Sequence, residues 1–439
     1  MRIIKPARSS IFTSLFVFSL VIFFITLADG IMAYMAPVTI ERKVHDTAYV
    51  GLILSISSFF GLFLDIFTAN KLSYKSLHFF MTRAFLFSLL FPILLLFIPN
   101  NTILLALSMI IWSIYYEFIG YSKYNFVYKH IDTKKHTQAW ATLVTSSSIA
   151  YMLGPGLGVF LLTISGKLPF IFAILCVFIS VSIYLYLVRK MQRRKQGRVL
   201  PDLPKKNIIK EFKVIKILLK RLWILVLFVV CVSLIDVLMW TMGVLYMSKL
   251  SESTPLGELL LVVYGIPALF IGIVTERLKL DAGKKKTAFT SAAMAGICLV
   301  FVGLSKNIYA TLSFVFLTAV FYGISIILID ATFQDYVARA KIVGNDIVSI
   351  LQFSHNLAYS FGPILLGLSV KYFDFSNTFL IVGVLSAVVS IIAFIISPRK
   401  IKMPQNEINT KLNEQDSMEN IGVIRIIGKV HRLVKIKEK

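Results

Sequence analysis

Four carboxylates, Asp29, Glu117, Asp236 and Asp330, stand in stretches otherwise almost free of charge. A charge at membrane depth costs roughly 2.5–3.5 kcal/mol on insertion scales, so such a group faces a cavity or a partner. Two kinds of chemistry suit it: taking up and releasing a proton, or holding a cationic solute. Asp29 and Asp236 lie well inside their stretches. At spacings of three and four residues, Asp29 shares a helical stripe with Thr26, Met32 and Ala33, and Asp236 with Ser233, Met239 and Trp240. Met offers an adaptable apolar surface and Trp a ring face for a cation, although ordinary helix packing uses the same residues. Asp330 is closer to the end of its stretch, where plain hydration competes with a functional role. Further on, Gln352, His355 and Asn356 form a polar group, matched by Thr145–Ser148 earlier in the chain. Such side chains bond a solute or a neighbouring helix equally well. The sequence thus nominates Asp29, Asp236, Glu117 and Asp330 for proton or cation coupling. For a cavity wall it nominates Thr26, Met32, Ser233, Met239, Trp240, His355 and Asn356.

The elements that must position these residues are long and apolar. Of 439 residues 57% are hydrophobic and 15% charged, and Phe occurs 36 times. A soluble domain is nearer a quarter charged. Runs of roughly 20 apolar residues cross about 30 Å of hydrocarbon. In the first half they cover Ile11–Pro37, Tyr49–Phe67, Ser76–Ile98, Ile103–Phe126, Gln138–Thr163 and Leu168–Val188. In the second they cover Leu222–Met247, Pro255–Val274, Thr287–Leu304, Ile308–Phe333, Ile347–Val370 and Thr378–Ile396. The expected fold is an all-α integral membrane protein of about twelve transmembrane helices. Lipid cannot satisfy free backbone groups, and the runs are too long and too uniform for barrel strands. The first run is too long for a cleavable signal and lacks its small-residue cleavage site.

The formal net charge of +24 is distributed by side. With the N-terminus inside, 39 of the 46 Lys and Arg fall on the cytoplasmic side and six outside, with Arg83 in the third run close enough to its end to snorkel. Both termini are therefore expected in the cytoplasm of a cell that carries the protein in its plasma or inner membrane. The excess charge reads as topology and contact with anionic lipid, not nucleic-acid binding, because it is spread over seven separate segments. Asn207–Arg221 and Ile421–Lys437 are basic and amphipathic, suited to lie on the inner leaflet, and Pro404–Glu419 reads as a polar tether. Cys176, Cys231 and Cys298 show no disulfide or metal-site spacing, and no cofactor or metal is expected.

The second half echoes the first. Leu27-Ala28-Asp29 with Met32 and Met35 matches Leu234-Ile235-Asp236 with Met239 and Met242. Ala150-Tyr151 with Gly154-Pro155 matches Ala358-Tyr359 with Gly362-Pro363, and Gly61-x-x-x-Asp65 matches Gly272-x-x-x-Glu276-Arg277. The offsets are 207, 208 and 211 residues. Duplicated six-span halves with a solute site between them are a common transporter design. The expected organisation is residues 1–188 as one half, 189–221 as a linker, 222–397 as the second half and 398–439 as a basic tail.

These residues resemble the major facilitator superfamily of secondary transporters over residues 10–397. The two Gly-x-x-x-acid segments before basic loops are similar to that family's loop signature, although Ile66 and Thr68 replace its usual Arg and Gly. Gly154-Pro155-Gly156-x-Gly158 resembles the Gly-Pro motif of its exporters, and Asp29 with Ala36-Pro37 is similar to the first helix of its drug–proton antiporters. The fourth run has no Arg of the antiporters' proton-relay kind. The resemblance implies that the first, fourth, seventh and tenth helices line a cavity, and these four carry the four acids. Gly154, Pro155, Gly362 and Pro363 are expected to let helices approach and bend, and Gly61, Asp65, Gly272, Glu276 and Arg277 to latch or anchor helix ends. With no Lys or Arg read as lying deep in a cavity-lining helix, the expected function is alternating-access export of lipophilic or cationic compounds coupled to protons, by a monomer. Proton-coupled import of a neutral sugar or small metabolite remains open. A membrane enzyme or a non-transporting scaffold is the reading of another class. The nucleophile elbow, zinc pair and phosphate loop of common enzymes are absent.

Overall fold

The computed structural model describes residues 8–71, 75–99, 101–131, 136–192, 208–253, 255–277, 283–340 and 344–398. The first half holds α1 (Arg8–Val44), α2 (Thr47–Lys71), α3 (Leu77–Phe97), α4 (Thr102–His130), α5 (His136–Ile164) and α6 (Leu168–Gln192). The second holds α7 (Ile208–Trp240), α8 (Met242–Ser253), α9 (Leu260–Gly265), α10 (Ile271–Arg277), α11 (Lys284–Leu304), α12 (Ile308–Ala340) and α13 (Gly344–Ile396). Among the described residues, ten helices are long and apolar enough to cross a membrane. Two local features bring the number of passes to twelve. The 53-residue α13 is two passes joined at Asp374, where φ is 63° and Asp374 Oδ1 caps Asn377 N–H at 3.2 Å. The eighth pass is assembled from α9, α10 and the tight turns Pro255–Leu259 and Ile266–Leu269. Gly265 and Pro267 break it, since proline lacks the N–H that a continuous helix needs.

Burial is arranged for lipid. Phe63, Phe97, Ile103, Tyr372 and Ile395 are exposed on the outside of the bundle. Buried hydroxyls mostly return to carbonyls of their own helix, as Ser108 does to Leu105 O at 2.6 Å. Among the described hydroxyls that reach across helices, one pair does so in matching places. Ser180 on α6 donates to Val21 O on α1 at 2.7 Å, and Ser386 on α13 donates to Cys231 O on α7 at 3.2 Å. The duplication seen in the motifs thus extends to the packing of each half. Cys176, Cys231 and Cys298 are free and buried.

The basic stretch from Ile208 to Arg221 and the following span form a single helix, α7, because neither Gly nor Pro occurs between Ile208 and Trp240. This helix breaks at Thr241, whose Oγ1 bonds back to Val237 O at 2.6 Å. Residues 193–207 of the linker, the expected tether and the tail helix lie outside the described residues.

The two halves meet at the end remote from the first helix's start and from Ser397. There the backbones of α2 and α13 touch. A Cβ added at Gly51 would stand 2.0 Å from Pro363 O, and one at Gly367 would stand 2.3 Å from Thr47 O. Thr47 Oγ1 donates to Gly367 O at 3.1 Å, and Lys371 pairs with Asp46 at 2.5 Å. Gly156 and Met152 on α5 abut Val262 and Gly265 of the eighth pass.

Candidate functional site: a cavity between the two halves

Beneath this closed end lies a cavity of about 720 Å³. It runs from Pro37, Leu54 and Pro363 down to Leu62, Glu117 and Ile327. The wall from the first half is rich in hydroxyls, from Ser57, Ser58, Ser113 and Ser148, and holds Glu117. The wall from the second half holds Asp236 with Trp240, Tyr264, Tyr322 and Tyr359. Among the described residues, no Lys, Arg or His lines the cavity.

Two carboxylate cages flank it. Asp29 Oδ1 accepts from Trp112 Nε1–H at 2.7 Å, and Oδ2 accepts from the Tyr151 hydroxyl at 2.5 Å. Tyr116 stands against the same carboxyl. Trp112 is itself held by a stacked Phe91, with centroids 4.9 Å apart and planes 10° apart. Asp236 Oδ1 accepts from the Tyr264 hydroxyl at 2.8 Å and Oδ2 from the Tyr359 hydroxyl. Tyr151 and Tyr359 are 208 residues apart, as Asp29 and Asp236 are 207 apart, so the Asp–Tyr bond is itself duplicated. The cages meet where Tyr151 packs edge-on to Trp240, at 5.9 Å between centroids. They differ in access. Asp29 is 4% exposed and does not line the cavity, whereas its partners Trp112, Tyr116 and Tyr151 do. Asp236 lines the cavity directly.

Comparison with known proteins agrees with this architecture. The family model of the Major Facilitator Superfamily matches residues 18–344 and, in a second match, residues 258–431. The chain belongs to the major facilitator superfamily. It is a multi-pass membrane transporter, not an enzyme. Its fold is similar to that of a POT family transporter solved with 5-aminolevulinic acid, at a TM-score of 0.68 and 13% identity over 88% of this chain and 96% of that one. The nucleoside transporter NupG gives a TM-score of 0.66 and 15% identity over 88% of this chain and 100% of that one. A bacterial homologue of the human lysosomal transporter Spinster, inward-facing and unoccupied, gives 0.66 and 10% over 89% and 97%. No curated protein matches the chain in sequence.

Within this facilitator fold the nominated residues separate. Asp236, Glu117, Trp240 and Asn356 line the cavity, as do Gly61 and Pro363. Thr26, Met32, Ser233 and Met239 are buried in helix packing and do not. The reason is geometric: the cavity stripe on α1 runs from Ala33 to Pro37, one i+4 step beyond the sealed Asp29, and on α7 from Asp236 to Trp240. It therefore follows the i+4 step, leaving the i±3 positions on the flank. His355 Nδ1 pairs with Ser233 Oγ at 2.9 Å, and its Nε2 is 3.7 Å from Asp330 Oδ1. Both His355 and Asp330 stand off the lining.

Gly154 is packed on Gly30 of α1, so closely that a Cβ would stand 2.5 Å from the Gly30 carbonyl carbon, and Pro155 follows it inside α5. At Gly362 a Cβ would meet Val237 Cγ1 at 2.9 Å, whereas at Gly272 it would meet nothing within 4 Å. Arg277 ends α10 and is exposed. The side chains of Asp65 and Glu276 lie outside the described residues.

The Lys and Arg assigned to the cytoplasmic side include Lys123, which falls near the end of the fourth run; α4 continues to His130, so Lys123 is two turns inside the helix. It is half-buried with Nζ 3.4 Å from Ser147 Oγ on α5. Arg83 donates to Phe79 O on its own helix at 3.2 Å and stacks on the Phe79 ring. The residues that sequence reasoning missed are aromatic: Trp112, Tyr116, Tyr151, Tyr264, Tyr322 and Tyr359. For Tyr151 and Tyr359 the signal was present, since both fall inside the repeated Ala-Tyr segments.

Proposed function

We propose that this transporter exports cationic or lipophilic compounds in exchange for protons, by alternating access of one central cavity to the two sides of the membrane. The observation that carries the reading is the cavity wall: two carboxylates and several ring faces, with no cationic side chain among the described lining residues. Such a wall attracts cations through charge and ring quadrupole together. A tyrosine hydroxyl both donates and accepts, so Tyr264 and Tyr359 can bond Asp236 with or without its proton. Proton and solute then compete for one group, which is the simplest form of exchange. The asymmetry of Lys and Arg supports cytoplasmic termini in a plasma or inner membrane, with anionic lipid beside the basic segments. In that orientation the end closed by Gly51, Pro363 and Gly367 is the outer one, and the conformation faces inward. A cavity enclosed by one chain supports a monomer. The Gly154-Pro155 segment, packed on α1 at Gly30, supports export.

The hydroxyl-rich wall from the first half favours a second reading, proton-coupled uptake of a neutral polar metabolite such as a sugar. The transporters of similar fold carry names that refer to nucleosides and to 5-aminolevulinic acid. Proton movement in inverted vesicles, followed with a pH dye, separates the two. Lipophilic cations that dissipate an imposed gradient, with the response lost in Asp236→Asn, agree with export of cations. A response to sugars or organic anions alone contradicts it.

A further inference from the structure

Behind the second-half wall of the cavity, two more titratable side chains stand in line with Asp236. Ser233 lies one turn before Asp236 on α7, and His355 lies one turn before Tyr359 on α13. The Ser233–His355 bond, 2.9 Å at Nδ1, is thus a second rung across the two helices that carry the Asp236–Tyr359 bond. The rungs are about 5 Å apart, one helical turn, and a single water spans that gap. His355 is within electrostatic reach of Asp236. From the far edge of its ring, Nε2 is 3.7 Å from Asp330 Oδ1 on α12. That oxygen is buried and receives no hydrogen bond, although the Asp330 side chain as a whole is 45% exposed. Asp330 continues the i+4 stripe of Tyr322 and Ile326, so it stands just below the lower end of the cavity. Tyr322 is within reach of both acids. The other cations near this region are engaged elsewhere: on α11, Lys284 pairs with Asp335, Lys285 donates to Pro398 O and Lys286 lies over the Phe394 ring. Among its described side chains α2 presents none that is charged.

A proton and a cation that compete for Asp236 trade places through one mouth. A route behind the wall lets the proton leave while the cation enters. On the reading of Asp236 as the exchanging group, we propose that Ser233, His355 and Asp330 carry its proton to the end opposite the closed face. In the tautomer with Nε2–H, Ser233 donates to Nδ1. Asp236 gives its proton to the bridging water, which passes one to Ser233 Oγ as Ser233 gives its own to Nδ1. The imidazolium then releases Nε2–H to the Asp330 carboxylate, which gives it to water at its exposed side. One O–H bond breaks at Asp236 and one proton enters the water outside the cavity. The ring is left as the other tautomer and resets by exchange with water, its side chain being 21% exposed.

The test uses the full chain in vesicles with ethidium as the cation. A pH dye follows ethidium-driven proton movement, and exchange of labelled for unlabelled ethidium reports a cycle with no proton step. His355→Gln keeps a hydrogen-bonding side chain that cannot titrate. It is expected to slow proton movement about tenfold and to leave exchange within about twofold. Asp330→Asn is expected to slow proton movement as well, and Asp330→Glu to restore it. A purely structural acceptor gives the opposite order, since Asn supplies the same oxygen in the same place. Proton movement at the unaltered rate in both His355→Gln and Asp330→Asn overturns the route and leaves Asp236 as the exchanging group. Equal loss of exchange and proton movement in both variants makes the two residues structural and also overturns the route. If ethidium moves no protons in the unaltered protein, or Asp236→Asn changes nothing, the reading of Asp236 itself fails and the route fails with it.

Discussion

Asp29 and Asp236 occupy equivalent positions in the two halves and bond equivalent tyrosines, yet one is sealed and the other faces the cavity. The difference lies in the surrounding donors and their placement. Asp29 is bonded by an indole N–H, which can only donate, and three aromatic side chains stand between it and the cavity. Asp236 is bonded by two phenols, which can turn to accept, with the Trp240 indole beside it, and remains in the wall. Duplication supplied two similar acids. Substitution around them made one a support for the aromatic wall and the other part of that wall.

The largest expected separation is in coupling. Asp236→Asn is expected to reduce solute-driven proton movement on the order of a hundredfold, whereas Asp29→Asn retains most of it; pH-dye flux in vesicles gives both values. Equal losses would break the comparison. Next in size is stability. Asp29→Ala leaves Trp112 N–H and Tyr151 O–H without their acceptor, at a cost of roughly 2 kcal/mol, while Asp236→Ala, at the cavity wall, costs less. Thermal unfolding in detergent ranks the two. Smaller still, Trp112→Phe keeps the stack on Phe91 but removes the donor, and is expected to cost about 0.6 kcal/mol, a typical interhelical hydrogen bond in a membrane.

The smallest effect is expected far from both cages, at Asp46 and Lys371 on the closed face. The Lys371 ammonium beside Asp46 holds its carboxyl below the usual carboxylate range, and Asp46 raises Lys371 above the usual lysine range. Stabilisation from a depressed acid is complete above its ordinary value and is lost as pH falls through the depressed one. That from a raised base is complete below its ordinary value and is lost as pH rises through the raised one. Accessibility of a cysteine placed at Thr47 is thus expected to stay flat from about pH 5 to pH 9. It should rise only slightly in stronger acid, because the pair is exposed.

Much of the architecture was legible in the sequence because lipid imposes strict rules on length and polarity. The apolar runs, the duplication and the four intramembrane acids all follow from composition and offset. The choice of helical face was less legible. Met32 and Ala33 both lie within one turn of Asp29, and only the crossing of α1 with α5 at Gly30 and Gly154 turns Ala33 to the cavity and Met32 into the packing. The aromatic partners were hidden for a related reason. Trp112 is 83 residues from Asp29 and Tyr359 is 123 from Asp236, so only the assembled bundle brings them together. Lys123 lies near the end of the fourth run and so counts with the cytoplasmic side, whereas α4 continues about one turn past that run to His130.

Carbodiimide labelling of carboxyl groups in the folded protein, located by peptide mass spectrometry, tests the sealed-and-open distinction most directly and needs no known solute. The account predicts that Asp236 and Glu117 are modified while Asp29 is protected until the protein unfolds. Modification of Asp29 as fast as Asp236 would contradict it.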